Sequence, residues 1–226
     1  MKKFLPVIHC IDPYTEGGIG HALANARIAF KNGADGIFLI GHNLVHTDLF
    51  YIYESVRKQS PREWIGINFL DIPIKYDYIL EMYTKEYDSM NALWFDDLPK
   101  YPLSLPSFIE LFGGVAFKYK KANGSDEELA KECAQAVAAV TTATTSGNKT
   151  GEAPSVEKLA KIKALLQGKI PLALASGVSA DNVVSFLPFV DTFLVATSIT
   201  KRDSTRGDHE YLVPEKVKEL ANLIHG

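Results

Sequence analysis

Eight short apolar runs, separated by segments with helix signals, predict an α/β fold of the TIM (β/α)8 barrel class in this 226-residue chain. Three observations carry that prediction. The runs recur about every 28 residues, the scale of one compact β-α unit. Most are continuously apolar rather than alternating, as parallel strands covered on both faces are. No linker or low-complexity stretch divides them, so residues 1–226 read as one domain.

The runs are 5–11, 36–40, 64–70, 92–95, 114–119, 138–144, 170–176 and 191–197. After the first comes a helix over 22–31, closed by Asn32-Gly33, a C-cap pair. Segment 49–57 stops before Pro61, and 74–87 repeats aromatic residues at helical spacing. Ser125-Asp126-Glu127-Glu128 is a capping box for a helix through Val137. Ser155 caps 156–166, and Ser179 caps 180–187. Pro214 fits the first turn of a last helix over 215–223. Between strands four and five, 98–113 holds three prolines and leaves room only for a short helix. A flavodoxin-like or Rossmann sheet needs fewer strands and leaves units over.

Composition narrows the function classes. A 46% hydrophobic share with 11% aromatics supports a packed core rather than disorder. A net charge of −3 gives no basic face for nucleic acid. Cys10 and Cys133 are too few and too far apart for a disulfide framework, so reduced thiols in the cytoplasm are expected. Met1-Lys2-Lys3 before an apolar run resembles a signal peptide, but the run is short, contains Pro6 and soon meets His9 and Asp12. It reads as a buried first strand. No window approaches the ~18 apolar residues of a membrane span. Asn123-Gly124-Ser125 and Asn148-Lys149-Thr150 match the glycosylation pattern and are expected to stay unmodified without secretion.

In a barrel of this class the chemistry sits at the C-terminal strand ends, and the loops after strands seven and eight often form a phosphate site. Here strand seven ends in Ser176-Gly177-Val178 and strand eight in Thr197-Ser198. Gly177 admits close backbone approach, while exposed N–H groups and hydroxyls, helped by a helix dipole, bind an anion. Ser176, Gly177, Thr197 and Ser198 are therefore the expected phosphate-binding residues. The loop in Thr141–Pro154, reading TTATTSGNKTGEAP, fits a flexible lid as well as a solvent loop. Thr150 and Gly151 are its best ligand-binding choices.

Strand five ends in Phe117-Lys118-Tyr119-Lys120-Lys121, and a two-residue period turns Lys118 and Tyr119 to opposite faces. Lys118 inside the mouth pairs with a substrate anion or, once deprotonated, forms a Schiff base. Of the carboxylates and amides at other strand ends (Asp12, Asn68, Asp71, Asp96 and Asp97), Asp96 is the first choice for general acid or base, since it directly follows strand four. Asn68 and His9 are candidate substrate contacts. His9 and His42 can share the mouth, and His42 with His46 has a four-residue spacing, but the His-x-His pattern of metal-dependent amidohydrolases is missing from strand one. No metal and no cofactor are expected. Cys10 reads as core. Gly17-Gly18-Ile19-Gly20 only echoes a dinucleotide fingerprint, with Leu23 where a small residue is needed, and reads as a mobile loop.

Taken in order, these motifs resemble the BtpA family of TIM-barrel proteins, similar in shape to the ribulose-phosphate-binding barrels. The resemblance runs through Val7-Ile8-His9, Gly33-Ala34-Asp35-Gly36-Ile37, Gly66-Ile67-Asn68 and Lys118. It continues with Thr150-Gly151 and Pro154, Ser176-Gly177-Val178 with Asn182, and Thr197-Ser198. The family's proline-rich loop after strand one is replaced by Asp12-Pro13-Tyr14-Thr15-Glu16-Gly17-Gly18, and the region of strand four is shortened. The family is named for a role in photosystem I assembly, which is not carried over, since similar proteins occur in organisms without photosynthesis.

The leading expectation is an enzyme for a small phosphorylated sugar or nucleotide. Isomerase, lyase and phosphoribosyl or glycosyl transfer chemistry all stay open, with Lys118 and Asp96 as the catalytic pair. A non-catalytic BtpA-like binding or assembly protein is the first alternative and a metal-dependent hydrolase the second. The expected partner is a phosphorylated metabolite, with no nucleic acid, no membrane span and room for a homo-oligomer.

Overall fold

The structure, a computed structural model, describes residues 1–70, 90–100, 102–103, 105–118, 125–149, 151–207 and 209–226. The expected helix over 74–87 lies outside these residues, as do Asp71, Tyr119, Lys120, Lys121 and Thr150.

Eight parallel strands close into one barrel: β1 (Lys3–His9), β2 (Ile37–Ile40), β3 (Ile65–Asn68), β4 (Ala92–Phe95), β5 (Glu110–Gly114), β6 (Thr142–Thr145), β7 (Leu172–Ala175) and β8 (Thr192–Val195). Each strand pairs with its sequence neighbour, and β1 closes the ring on β8, from Lys3↔Thr192 to Pro6↔Val195. The described helices are α1 (Gly18–Lys31), α2 (His46–Gln59), α3 (Asp126–Ala139), α4 (Val156–Leu166), α5 (Val183–Phe186) and α6 (Pro214–His225). The Ser125 and Ser155 hydroxyls accept from Glu128 N and Lys158 N, as helix caps do.

The core has two shells. Inside the barrel, Leu5, Val7, Phe38, Ile40, Ala92, Trp94, Phe112, Phe117, Ala173, Ala175 and Leu194 form one cluster. A larger one fills the space between strands and helices. Phe38 plugs the interior, meeting Phe112 edge-on at 5.1 Å and Trp94 at 5.4 Å. The neighbouring strand makes room for it with Gly66, where a Cβ would lie 2.3 Å from a Phe38 ring carbon. Polar clamps hold the opposite rim. Asp191 accepts from Leu172 N at 2.9 Å and Lys163 Nζ at 2.5 Å, and Asp35 accepts from Phe4 N at 2.7 Å.

Five expectations need correcting. Strand five is Glu110–Gly114, not 114–119. Its two glycines are in the ladder because β4's following loop passes close by: a Cβ on Gly114 would lie 1.9 Å from Asp96 O. Residues 96–109 show no helix among the described residues. The helix after β7 covers only Val183–Phe186, and the Asn182 side chain, not Ser179, organises the turn: it accepts from Ser179 N and donates to Gly177 O. Gly18 and Gly20 lie inside α1 rather than in a loop; Gly17, at φ +82, is the N-cap. Finally, the chain spends residues on an unexpected antiparallel hairpin, β9 (Thr200–Asp203) with β10 (His209–Leu212), between β8 and α6.

Candidate functional site at the strand ends

A cavity of about 290 Å³ opens at the C-terminal ends of the strands. Val7, Ile40, Trp94, Ala175 and Leu194 give it an apolar base continuous with the barrel interior. Its polar wall is formed by His9, His42, Lys118, Ser176, Ser179, Thr197 and Ser198. No carboxylate is among the described lining residues. Trp94 is 4% exposed, and its indole N–H has no hydrogen-bond partner among the described residues, an omission worth about 1–3 kcal/mol in a buried donor.

Of the residues singled out in the sequence, the cavity brings together His9, Lys118, Gly151, Ser176, Gly177, Thr197 and Ser198. It does not bring in Asp96 or Asn68. Asn68 is fully buried; its amide donates to Asp96 Oδ1 at 3.4 Å, and its Oδ1 accepts from Leu70 N at 2.6 Å. Both side chains shape the turn after β3, where Leu70 has φ +64. His42, Trp94 and Ser179 join the wall beyond the expected site residues. The one legible signal among them is His42, two residues past the end of β2.

Lys118 reaches the mouth from a loop rather than a strand. Its N–H donates to Ser146 Oγ at 2.8 Å, and its ammonium stands 5.6 Å from the Phe117 ring centre. The two-residue alternation does not apply here, since residues 115–118 follow the strand and Ala116 sits at φ +44. Phe117 can therefore fill the interior while Lys118 lines the cavity. Lys158 binds this loop to the next one, donating to Ala116 O and Ser146 O at 2.7 Å each. Burial lowers the Lys158 pKa below its usual value, against a smaller upward pull from Glu132.

The loop after β6 is tied down by hydrogen bonds at its described residues. Glu152 N donates to Lys149 O at 3.1 Å. Ser176 Oγ donates to Glu152 O at 3.3 Å. Gly177, at φ +72, is held under this loop: a Cβ would lie 2.1 Å from Ala153 N. The close approach that demands glycine is thus to backbone. Ser176 itself sits at φ +90, a conformation that costs a non-glycine residue energy and tends to occur at functional sites. Ser198 Oγ donates to Val178 O at 2.6 Å, tying the β8 loop to the β7 loop.

The two imidazoles meet edge-on with centres 5.2 Å apart. The pKa of His9 is lowered, first by burial and then by His42 and Lys118, against a pull from Glu210, whose Oε2 lies 3.4 Å from His9 Nδ1. His42 is lowered by burial and then by Lys118. Three basic groups thus stand together around an opening with no carboxylate among its described lining residues. Cys10 is inert beside them; burial pushes its thiol up to about 12. Among the described residues no three His, Cys, Asp or Glu groups converge as a metal-ligand set. No described helix is long and apolar enough to cross a membrane.

The fold and its mouth define a (β/α)8 barrel with a basic, hydroxyl-rich cavity at the C-terminal strand ends. The BtpA family matches residues 95–226, more than half of the chain, and the chain belongs to that family. Solved structures agree on the fold. A thiamine phosphate pyrophosphorylase from Pyrococcus furiosus is similar over 99% of this chain and 95% of its own, at 16% identity and a TM-score of 0.59. A protein from Aquifex aeolicus VF5 is similar over 98% of this chain and 92% of its own, at 15% identity and 0.65. A cube-shaped protein cage, designed by fusing symmetric oligomeric domains, is similar over 99% of this chain and 72% of its own, at 10% identity and 0.65. No curated protein matches the chain.

Proposed function

We propose that this protein is a cytoplasmic enzyme that binds a small phosphorylated sugar or nucleotide by its phosphate at the ends of β7 and β8. One observation carries the reading: the cavity wall combines Lys118, His9 and His42 with the hydroxyls of Ser176, Ser179, Thr197 and Ser198, and holds no carboxylate among its described residues. A phosphate dianion suits such a wall: it accepts from the Lys118 ammonium, the ring N–H groups and the Ser179 and Thr197 hydroxyls, while the Ser176 and Ser198 hydroxyls, which donate to Glu152 O and Val178 O, hold the two loops in place. The loops after β7 and β8 are also where barrels of this class often bind phosphate.

Within this reading, Lys118 binds the anion and steadies charge that develops on the ligand. His9 takes the acid-base role in place of Asp96, because its ring lines the cavity and burial shifts it towards the neutral form that accepts a proton. Isomerisation, bond cleavage and phosphoribosyl or glycosyl transfer all use such a phosphate anchor beside a proton carrier. The test is a thermal-shift screen with sugar phosphates, nucleotides and phosphoribosyl donors, since a ligand that binds only the folded state raises Tm. Lys118→Ala is expected to weaken binding of the best ligand about 10- to 100-fold, the worth of a charged hydrogen bond. Failure of every phosphorylated compound to raise Tm sinks the reading.

A further inference from the structure

A second cavity, of about 430 Å³, adjoins the first. His9 and His42 line both, so the imidazole pair is a shared wall between two compartments. The compartments differ in chemistry. The first has bases, hydroxyls and the Trp94 indole, with no carboxylate among its described residues, whereas the second adds the carboxylates of Asp12 and Glu210 to Arg202 and His209.

Glu210 is held in place through its backbone. It sits on β10 of the hairpin, and its backbone carbonyl accepts from His21 Nε2 at 2.7 Å and from Asn25 Nδ2 at 3.4 Å. Asn25 Oδ1 in turn accepts from Leu212 N at 2.7 Å. His21 and Asn25 are 2% and 1% exposed, an unusual burial for two polar residues of one helix. Together they fasten the hairpin to α1. The fastened side chain then places Oε2 3.4 Å from His9 Nδ1 and Oε1 4.0 Å from Arg202 Nε. A carboxylate in this position keeps acceptor capacity towards the cavity it lines, and it can only accept hydrogen bonds. Arg202 already stands against its Oε1, so a neutral hydroxyl donor suits the remaining acceptor capacity.

We infer that the second compartment is the subsite for the non-phosphate end of the ligand, with Glu210 accepting from its hydroxyl groups. The ligand is then a phosphate ester of a polyhydroxylated carbon chain, its phosphate in the first compartment and its hydroxyls across the imidazole wall in the second. This inference rests on the phosphate reading of the first cavity.

The experiment is calorimetric titration of the full chain with inorganic phosphate, ribose 5-phosphate and phosphoethanolamine. Ribose 5-phosphate is expected to bind about tenfold or more tighter than inorganic phosphate, the value of one hydrogen bond to a charged acceptor. Glu210→Gln is expected to bring that ratio to within about threefold. The ratio is taken within each protein, so any change in the phosphate compartment cancels. The substitution leaves the backbone carbonyl that anchors the hairpin, and retained phosphate binding reports that the variant is folded. Equal affinities in the unaltered protein, or a ratio that survives Glu210→Gln, overturn the inference while leaving the phosphate site standing. So does a phosphoethanolamine affinity above that of ribose 5-phosphate, which makes Glu210 a cation reader. If inorganic phosphate does not bind the unaltered chain, the phosphate reading itself falls first.

Discussion

Gly177→Ala is the substitution that weighs most directly on the architecture of the mouth. At φ +72 an alanine pays about 1–2 kcal/mol for the left-handed conformation. Its Cβ would also lie 2.1 Å from Ala153 N and 2.4 Å from Ala153 Cα, both backbone atoms. The loop after β6 must then shift, at a cost of about 1–3 kcal/mol for overpacking of this kind. Gly151 supplies the control. It has φ +79, but nothing stands within 4 Å of its added Cβ, so Gly151→Ala pays the conformational cost alone. The difference between the two variants is the overlap, about 1–3 kcal/mol, or roughly 2–12 °C in Tm for a chain of this size. Scanning calorimetry of both variants measures it, with urea titrations to show that the slope m is unchanged. Equal melting temperatures would refute the packing of the β6 loop on Gly177. That result would return Gly177's role to ligand approach alone.

Two predictions concern pH. Sulfate, which keeps its charge across the range, is expected to bind more tightly as the pH falls from about 8 to about 6, by up to tenfold per unit for each proton taken up. The sign follows from the lowered His9 and His42 pKa values: burial and the neighbouring Lys118 disfavour the protonated rings in the empty site, and an anion favours them. An affinity that is flat with pH removes these rings from the anion site. At the other rim, burial pushes the Asp191 carboxyl up but is outweighed by hydrogen bonds from Lys163 and Leu172 N and by the charges of Lys163 and Lys2, so its pKa lies below the usual 3.8. That contribution is fully present above the unfolded value and lost as the pH falls through the lower folded one. Asp191→Asn is expected to cost about 1–2 kcal/mol near neutral pH, after discounting for its partial exposure, and less at about pH 3. Urea midpoints at the two pH values measure it, and a difference that does not shrink contradicts the assignment.

Much of the barrel was legible because its strands are short, apolar and regularly spaced. Runs 92–95, 170–176 and 191–197 contain β4, β7 and β8, and the Ser125 and Ser155 caps open the helices expected of them. The errors fall where a tertiary contact outweighs a local signal. The apolar run 114–119 places the fifth strand too late: the strand is Glu110–Gly114, and its last residue is glycine because a Cβ there would meet Asp96 O of the β4 loop. The hairpin over Thr200–Leu212 is rich in charged and small polar residues and lacks an apolar run, so no strand is expected there. What holds it is the buried pair His21 and Asn25, nearly 190 residues away in sequence.

The sequence by itself determined the barrel, its eightfold repeat and the strand-end loops in which a ligand site belongs, because burial of apolar runs and capping of helices are local properties written in residue order. Tertiary structure alone decided the membership of the site. It withdrew Asp96 and Asn68 into a turn, brought Trp94 to the cavity wall, and set Glu210 against His9. Those placements depend on how separate loops pack across the barrel mouth, and such packing is a relation between distant segments that no single segment encodes.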